Sequence, residues 1–258
     1  MITYIPEIIQ LTEIEFIYCS FVVFLAGIVR GFSGFALSAI VIASMAGTLP
    51  TVQLIPMVLF LEAAAGIVML RGGIRDANMP IVWILSIGSI LGVPIGLLAT
   101  VILPVETSRI IALILILSLA SLQLFKLTPG TLGSKTALYT TGIVAGIASG
   151  IAAVGGMVIA LYVLASEENP RSMRGAIVMF LFIGLFTSMI WYIIYGIMDI
   201  RAAIRGVVFT PILLVGIFIG FKLFSPILQN FYKQNGCKYY APNSCAYIHY
   251  SINYVPNH

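Results

Sequence analysis

The sequence predicts an all-α polytopic membrane protein, and its composition, its hydropathy and the length of its apolar segments all support this fold class. Hydrophobic residues make up 60% of the 258 residues and charged residues 9%, whereas a soluble domain carries about 25% charge. The mean hydropathy is +1.11. Backbone polar groups in hydrocarbon must bond within their own segment, and no segment alternates as a barrel strand does, so each is predicted to be helical. Seven apolar segments lie at about residues 14–46, 52–70, 80–103, 107–125, 137–165, 175–197 and 204–224.

The first apolar segment is too long for one straight crossing of the membrane. It runs from Ile14 to Ala46, about 33 residues, whereas roughly 20 helical residues cross a bilayer. A charged stretch that contains glycines, GIVRGFSG, interrupts it at residues 27–34. We predict that the helix is broken at these glycines, since the alternative is a strong tilt.

A similar interruption returns 115 residues later, inside the long apolar segment 137–165. Its small residues are Gly142, Gly146, Ser149, Gly150, Gly155 and Gly156. Hydrophobic segments that are broken at corresponding places in two halves of a membrane protein point to the binding site of a transporter. We therefore predict two repeats of about four helices, each with a broken first helix, at residues 1–125 and 126–226.

Glycines at intervals of four residues connect the third and the seventh segment in this repeat. Gly88, Gly92 and Gly96 lie in the third segment, and Gly216 and Gly220 lie in the seventh. Such spacing makes a groove on one helix face, which lets another backbone approach closely. The alternative is that glycine is simply frequent in membrane helices, and it weakens when the spacing recurs in the same order.

The repeat requires an eighth helix, yet residues 227–258 form a polar tail with no apolar run of spanning length. Six of the twelve tyrosines lie between Tyr232 and Tyr254, and the composition changes abruptly near Asn230. We hypothesise that a frameshifted or otherwise foreign ending has replaced the last helix. The alternative is a genuine polar extension, and translation of the other reading frames past codon 230 distinguishes the two.

Two orientations are compatible with the loop charges. If the first and fifth segments each cross the membrane, the excess of Lys and Arg in one set of loops favours a cytoplasmic N-terminus. If both segments are re-entrant hairpins instead, the counts of Lys and Arg on the two sides of the membrane are exchanged, and the N-terminus lies outside.

Arg30 makes the first interruption a candidate anion-binding site. A guanidinium inside an apolar segment costs about 2.5–3.5 kcal/mol on insertion scales, so it usually has a partner or faces a water-filled cavity. Its fork of donors suits the oxygens of sulfite and sulfonates. A half-helix that began near Gly31 would add freed backbone N–H groups. The predicted substrate-binding residues are Arg30, Gly31, Ser33, Gly34, Ser149, Gly150, Gly155 and Gly156.

Each of these residues also has a simpler interpretation. The side chain of Arg30 can carry its charge to the lipid headgroups from a broken helix end. Membrane serines often bond the backbone of their own helix, and the glycines can permit the break without touching a substrate.

Glu62 is the only acidic residue well inside an apolar segment. One interpretation is a proton-coupling site, whose charge changes during transport. The other is a structural carboxyl group that is paired with Arg30 or kept protonated by burial.

Several other classes of protein are excluded by the sequence. Despite the net charge of +4, Lys and Arg occur singly or in pairs, so no nucleic acid is expected to bind. Cys19, Cys237 and Cys245 form no CxxC pair and both histidines lie in the tail, so we expect no metal site and no cofactor. There is no enzyme motif and no phosphate-binding glycine-lysine loop, so coupling to a proton or another ion gradient is the default. The acidic N-terminus argues against a cleavable signal peptide.

A set of ordered motifs gives the chain a family resemblance. They are GIVRGFSGF at 27–35, Leu49-Pro50, the GxxxGxPxG pattern from Gly88 to Gly96, Gly155-Gly156 and PRSMRG at 170–175. Over about residues 14–226 this order resembles the TauE/SafE sulfite exporter family. The resemblance implies a two-repeat permease of the bacterial or archaeal inner membrane, associated with export of sulfite or small organosulfonates. The chain departs from the family after Pro226 and at Phe35-Ala36-Leu37, where a further glycine is usual.

The main hypothesis is therefore a multi-pass secondary permease in the lipid bilayer of the inner or plasma membrane, most simply an exporter of small sulfur-containing anions. One alternative is transport of another small anion by the same fold. A second is a membrane scaffold or assembly factor that transports nothing, whose glycine faces dock partner helices.

Overall fold

The computed structural model describes residues 11–125, 135–164 and 170–239, and within these ranges the regular structure is helical without a strand. Six of the helices are long and apolar enough to cross a membrane. The fold class predicted from composition and hydropathy, an all-α polytopic membrane protein, is confirmed.

The described part of the first half of the chain contains five helices. They are α1 (Glu13–Ser33), α2 (Leu37–Met45), α3 (Thr51–Asp76), α4 (Met79–Ile102) and α5 (Val105–Leu124). A capping box begins α1, because Thr12 and Glu15 satisfy each other's backbone N–H groups. Prolines stand at the starts of the later helices, where the missing N–H is no loss: Pro50 precedes α3 and Pro104 precedes α5.

The second half contains four helices in the described part of the chain. They are α6 (Lys135–Ala152), α7 (Gly155–Leu164), α8 (Pro170–Ile194) and α9 (Ile200–Tyr239). The apolar part of α9 that is able to span a membrane ends at Leu223, but the helix itself continues into the polar tail. The hypothesis of a foreign ending concerns residues 227–258: residues 227–239 belong to α9, and residues 240–258 lie outside the described residues.

The first long apolar segment is broken between α1 and α2, later than the sequence suggested. We expected the break within residues 27–34, but Gly27 and Gly31 are helical and α1 continues to Ser33. Gly34 then adopts a left-handed conformation with φ 87°, and Ala36 does the same with φ 72°. The N–H of Gly34 donates to the carbonyl of Arg30, which is how a left-handed residue commonly ends a helix.

The second long apolar segment is broken in the same manner between α6 and α7. Ala153 is left-handed with φ 52°, and its N–H donates to the carbonyl of Ser149 at 2.8 Å. The N–H of Val154 donates to the carbonyl of Ala148 at 3.3 Å. Helix α7 then begins at Gly155. Both long apolar segments are thus a long helix followed by a short one, as the sequence predicted.

The glycines of α4 bring its backbone against α6. A Cβ atom added at Gly92 would overlap the carbonyl oxygen of Ile143 and lie 3.0 Å from the Cα atom of Gly146. One added at Gly146 would lie 2.5 Å from the carbonyl oxygen of Ser89. Since no side chain fits between the two backbones, these glycines allow the close approach that packs membrane helices.

The same close approach joins α9 to α1. A Cβ atom at Gly27 would lie 2.6 Å from the carbonyl oxygen of Leu213 and 3.2 Å from the Cα atom of Gly216. At Gly220 it would overlap the carbonyl oxygen of Ile28. The glycine helix of each half therefore packs on the broken helix of the other half.

The two interfaces correspond residue by residue, with one offset for the broken helices and another for the glycine helices. Gly27 and Gly146 make equivalent contacts, and so do their partners Gly216 and Gly92. The offset is 119 residues in the broken helices (146 − 27) and 124 residues in the glycine helices (216 − 92). The left-handed residues Gly34 and Ala153 also differ by 119. The spacing of 115 expected from the sequence is therefore one helical turn too short.

Candidate functional site

Arg30 lies in the last turn of α1 and is completely buried, with 0% of its surface exposed. Its Nη2 atom is 2.9 Å from Oε2 of Glu62 in α3, and its Nη1 atom donates to the carbonyl of Gly34. The side chain therefore does not reach lipid headgroups. Pairing with Glu62, one of the interpretations open from sequence, is the arrangement in the structure.

A second arginine, Arg174 of α8, reaches the same helix end from the other half of the chain. Its Nη2 atom donates to the carbonyl of Gly31 at 2.6 Å, and its guanidinium lies 5.0 Å from the ring centre of Phe221. The last carbonyls of a helix have no partner within the helix and carry partial negative charge. Two cations thus stabilise the break, although the sequence suggested that Arg174 was a loop residue.

The backbone groups near Arg30 differ from those expected. We predicted that a half-helix begins near Gly31 and offers N–H groups, but α1 ends there and the freed groups are carbonyls. Ser33 donates its hydroxyl to the carbonyl of Val29 at 2.8 Å and accepts from the N–H of Phe35 at 3.3 Å. The helix that begins after the break is α2, whose first residue is Leu37.

Two other predicted site glycines serve helix packing. A Cβ atom at Gly31 would overlap the carbonyl oxygen of Ile217, and one at Gly150 would lie 2.5 Å from that of Val93. Gly155 and Gly156 differ from these, because they open α7 and their N–H groups belong to its first turn. A Cβ atom at Gly155 would strike the hydroxyl of Ser149. The second break therefore matches the predicted geometry more closely than the first.

A small cavity lies between α3, α4, α6 and α8, next to the second break. Its volume is about 40 Å³, and a water molecule needs roughly 10–15 Å³ of such space, so about three waters fit. Its lining includes Glu62, Ser89, Ser149, Ala153, Ser188 and Tyr192. Of these, only Glu62 and Ser149 were candidates from the sequence.

The sequence analysis missed Ser89, Ser188 and Tyr192. Each is almost fully buried, and Ser188 and Tyr192 lie close to each other. Ser188 and Tyr192 are four residues apart, which places them on one face of α8. That spacing of two polar groups in an apolar helix was the available signal.

Glu62 stands between the buried arginine and the cavity. Glu62 is a lining residue of the cavity whereas Arg30 is not, so Glu62 is the member of the pair that borders the cavity. The backbone N–H of Ser38, in the first turn of α2, faces the carboxylate at a geometry looser than a hydrogen bond. Glu62 therefore lies next to parts of both breaks. It faces α2, which follows the first break, and it borders the cavity, which Ala153 of the second break also lines.

Arg30 retains donor capacity in this arrangement. Among the described residues its Nε–H has no hydrogen-bond partner. A buried donor without a partner costs more than the bond it could form, and usually marks a water or a ligand. The site thus combines a spare cationic donor, a buried carboxylate and several hydroxyl groups among the apolar residues of the cavity lining.

Comparison with known proteins identifies the family of the chain. The family model described as sulfite exporter TauE/SafE matches residues 19–234, which confirms the resemblance carried by the glycine motifs. No curated protein and no solved structure matches the chain. Because the matched region is most of its length, the chain belongs to the sulfite exporter TauE/SafE family, a family of membrane transporters.

Proposed function

We propose that this protein is a secondary permease that moves a small sulfur-containing anion, such as sulfite or an organosulfonate, across the inner or plasma membrane, most simply outward. The observation that carries the proposal is the buried pair of Arg30 and Glu62, next to a small cavity that hydroxyl and apolar side chains line. A buried ion pair is weak evidence for stability, and ionisable groups inside membrane segments usually mark a transport pathway.

Arg30 is the proposed main contact for the anion. Its planar guanidinium matches two oxygens of a sulfite or sulfonate group, and its Nε–H has no hydrogen-bond partner in the described part of the chain. The hydroxyl of Ser149 and the first N–H groups of α7 at Gly155 and Gly156 are the proposed contacts from the second half. Gly31, Ser33, Gly34 and Gly150 shape and close the site.

The proposal includes two repeats, at residues 1–125 and 126–226, that face each other across this site. The paired contacts of α1 with α9 and of α6 with α4 support it, since each glycine helix crosses to the other half. Broken helices that meet at the interface of two repeats form the binding sites of many secondary transporters.

A flux assay tests the proposal. Proteoliposomes that contain the wild-type chain should release labelled sulfite faster than empty liposomes. The double variant Arg30→Met with Glu62→Leu removes the charges and keeps the volume, so it should fold yet lose at least about tenfold in flux. The matched control neutralises the surface pair of Glu106 and Arg109, whose charged atoms are 3.1 Å apart, and should transport normally.

Two results would contradict the proposal. Unchanged flux in the double variant would place the anion elsewhere in the fold. No flux of sulfite, sulfonates or other small anions through correctly inserted wild-type protein would favour the scaffold alternative instead.

A further inference from the structure

The arrangement around Arg30 raises the question of how an anion could reach it. Glu62 is 93% buried, being 7% exposed. It borders the cavity, whereas Arg30, which its carboxylate holds at 2.9 Å, does not. An anion in the cavity therefore meets a negative charge first. Like charges within a few ångströms repel strongly where water is scarce, so the carboxylate excludes the anion while it is ionised.

Resting on the proposed function, we propose that the anion and the Glu62 carboxylate compete for Arg30, so that each monovalent anion crosses the membrane together with one proton. The proton comes from water in the cavity and adds to a carboxylate oxygen of Glu62. The neutral carboxyl group releases the guanidinium, which then binds the anion. On the other side of the membrane, the anion leaves, the proton returns to water, and the ion pair forms again.

The balance of charge identifies the class of anion. The resting site holds one positive and one negative charge, so its net charge is zero. With a protonated Glu62 and a bound monoanion the net charge is again zero, whereas a dianion would leave a buried negative charge. Uncompensated buried charge is strongly unfavourable. The site therefore selects a sulfonate or hydrogen sulfite over a divalent anion such as sulfate.

Few other described groups near Glu62 can take up the proton in its place. Arg30 on α1 pairs with it, and Tyr192 on α8 shares the cavity as a hydroxyl group. Arg174 on α8 interacts with Arg30 at longer range and binds the carbonyl of Gly31. Arg30 favours the ionised carboxylate at rest, so the carboxylate takes up a proton only when an anion takes its place beside Arg30.

The remaining charged residues on the helices that pack against α3 lie away from the pair. Helices α2 and α4 contain no charged residue. On α5, Glu106 and Arg109 pair with each other. On α9, Arg205 donates to Gln53, which is nine residues before Glu62 and thus about 13 Å along α3. The other charged residues on α8, on α3 itself and on α9 up to residue 223 are Arg171, Arg201, Lys222, Arg71, Arg75 and Asp76.

Binding of methanesulfonate to the purified full-length chain in detergent tests the competition, because this monoanion does not titrate between pH 5 and pH 9. Calorimetry in buffers of different ionisation enthalpy should show uptake of about one proton per bound anion. In the range where Glu62 is ionised, affinity should fall about tenfold for each unit of pH. Sulfate should bind at least about tenfold more weakly than methanesulfonate at every pH.

The variant Glu62→Gln imitates the protonated carboxyl group. It should bind methanesulfonate without proton uptake, with an affinity that changes less than about twofold over the same pH range. The surface variant Glu106→Gln should retain the wild-type slope. If Glu62→Gln fails to fold, proton uptake by the wild type still decides, since that measurement needs no variant.

Flux in proteoliposomes gives an independent measurement. Cotransport of a monoanion with a proton moves no net charge, so an imposed potential of about 100 mV should leave the final distribution of methanesulfonate unchanged. Uniport of the anion would shift that distribution about fiftyfold. A pH gradient alone should drive accumulation.

The outcomes separate this inference from the proposed function. Methanesulfonate that binds and crosses the membrane without proton uptake, or in response to the potential, would overturn the inference and leave the permease in place. If neither methanesulfonate nor sulfite binds the wild-type chain at any pH, the proposed function fails and the inference fails with it.

Discussion

The two helix breaks share one backbone design but differ in chemistry. Each long helix ends at a left-handed residue, Gly34 in the first break and Ala153 in the second, and each packs on a glycine helix from the other half. Four residues before these ends, the first helix carries Arg30 and the second carries Ser149. The first break is filled by an ion pair, whereas the second opens onto a cavity.

This difference separates what the fold needs from what the site needs. The features present in both breaks are the close backbone contacts and the left-handed turn, and these build the scaffold. The feature present in only one is charge. Because a neutral serine is sufficient at the equivalent position, a break does not require an arginine, and we infer that Arg30 is retained for binding.

The largest expected effect comes from breaking the pair that distinguishes the first site. Glu62→Leu leaves a buried guanidinium, which cannot lose its proton, and should lower the free energy of unfolding by about 3–5 kcal/mol. Arg30→Met leaves a carboxyl group that can become neutral, so it should cost less. The double variant should recover most of the loss, because an apolar pair replaces a buried ion pair with little penalty.

The coupling between the two residues is measured by thermal unfolding in detergent. The proteins compared are the wild type, the two single variants and the double variant. A double variant that is as unstable as Glu62→Leu would mean that Arg30 is required by the first break itself. In that case the comparison with Ser149 would not hold.

A second expected effect concerns the packing that both regions share. Gly92→Ala would place a methyl group against the carbonyl oxygen of Ile143 and 2.8 Å from the backbone nitrogen of Ile147. Backbone cannot move aside as a side chain can, so α4 and α6 must separate, at a cost of about 1–3 kcal/mol or more. Gly216→Ala should do the same to α9 and α1, where it meets the carbonyl oxygen of Phe24.

Gly72→Ala in α3 is the matched control, because nothing lies within 4 Å of a Cβ atom there. It should stabilise the helix by up to about 1 kcal/mol. Size-exclusion profiles and unfolding temperatures of the three variants give the comparison. If Gly92→Ala and Gly216→Ala differ widely in effect, the two interfaces are not equivalent.

Much of this fold was accessible from the sequence because a bilayer imposes strict rules. Apolar runs of spanning length have to be helices, and prolines such as Pro50 and Pro104 mark where they start. The existence of two breaks followed from excess length, and the pairing of Arg30 with Glu62 was foreseeable because they are isolated charges in apolar runs.

The rest depended on contacts that no local pattern contains. Glycine serves equally for a turn and for close packing, so Gly31 was assigned to the break although it faces the backbone of Ile217. The offset of the repeat was taken from glycine spacing, and only the partner helices fix it at 119. Arg174 lies far along the chain from the carbonyl it binds, and the cavity exists only once α8 packs against α3.

The smallest expected effect concerns the left-handed residues that end the two long helices. Ala153 adopts φ 52°, which costs an L-residue about 1–2 kcal/mol, whereas the first break uses glycine there. Ala153→Gly should relieve that strain, and because glycine also gains about 0.4–1 kcal/mol of freedom in the unfolded chain, the net stabilisation should be about 0.5–1 kcal/mol. The unfolding temperature should rise by about 2–3 °C.

The control is Ala120→Gly, at an exposed helical position in α5. It should instead lower the free energy of unfolding by about 1 kcal/mol. If Ala153→Gly destabilises the protein as much as this control does, the second break is not held in the left-handed turn that the first one shows.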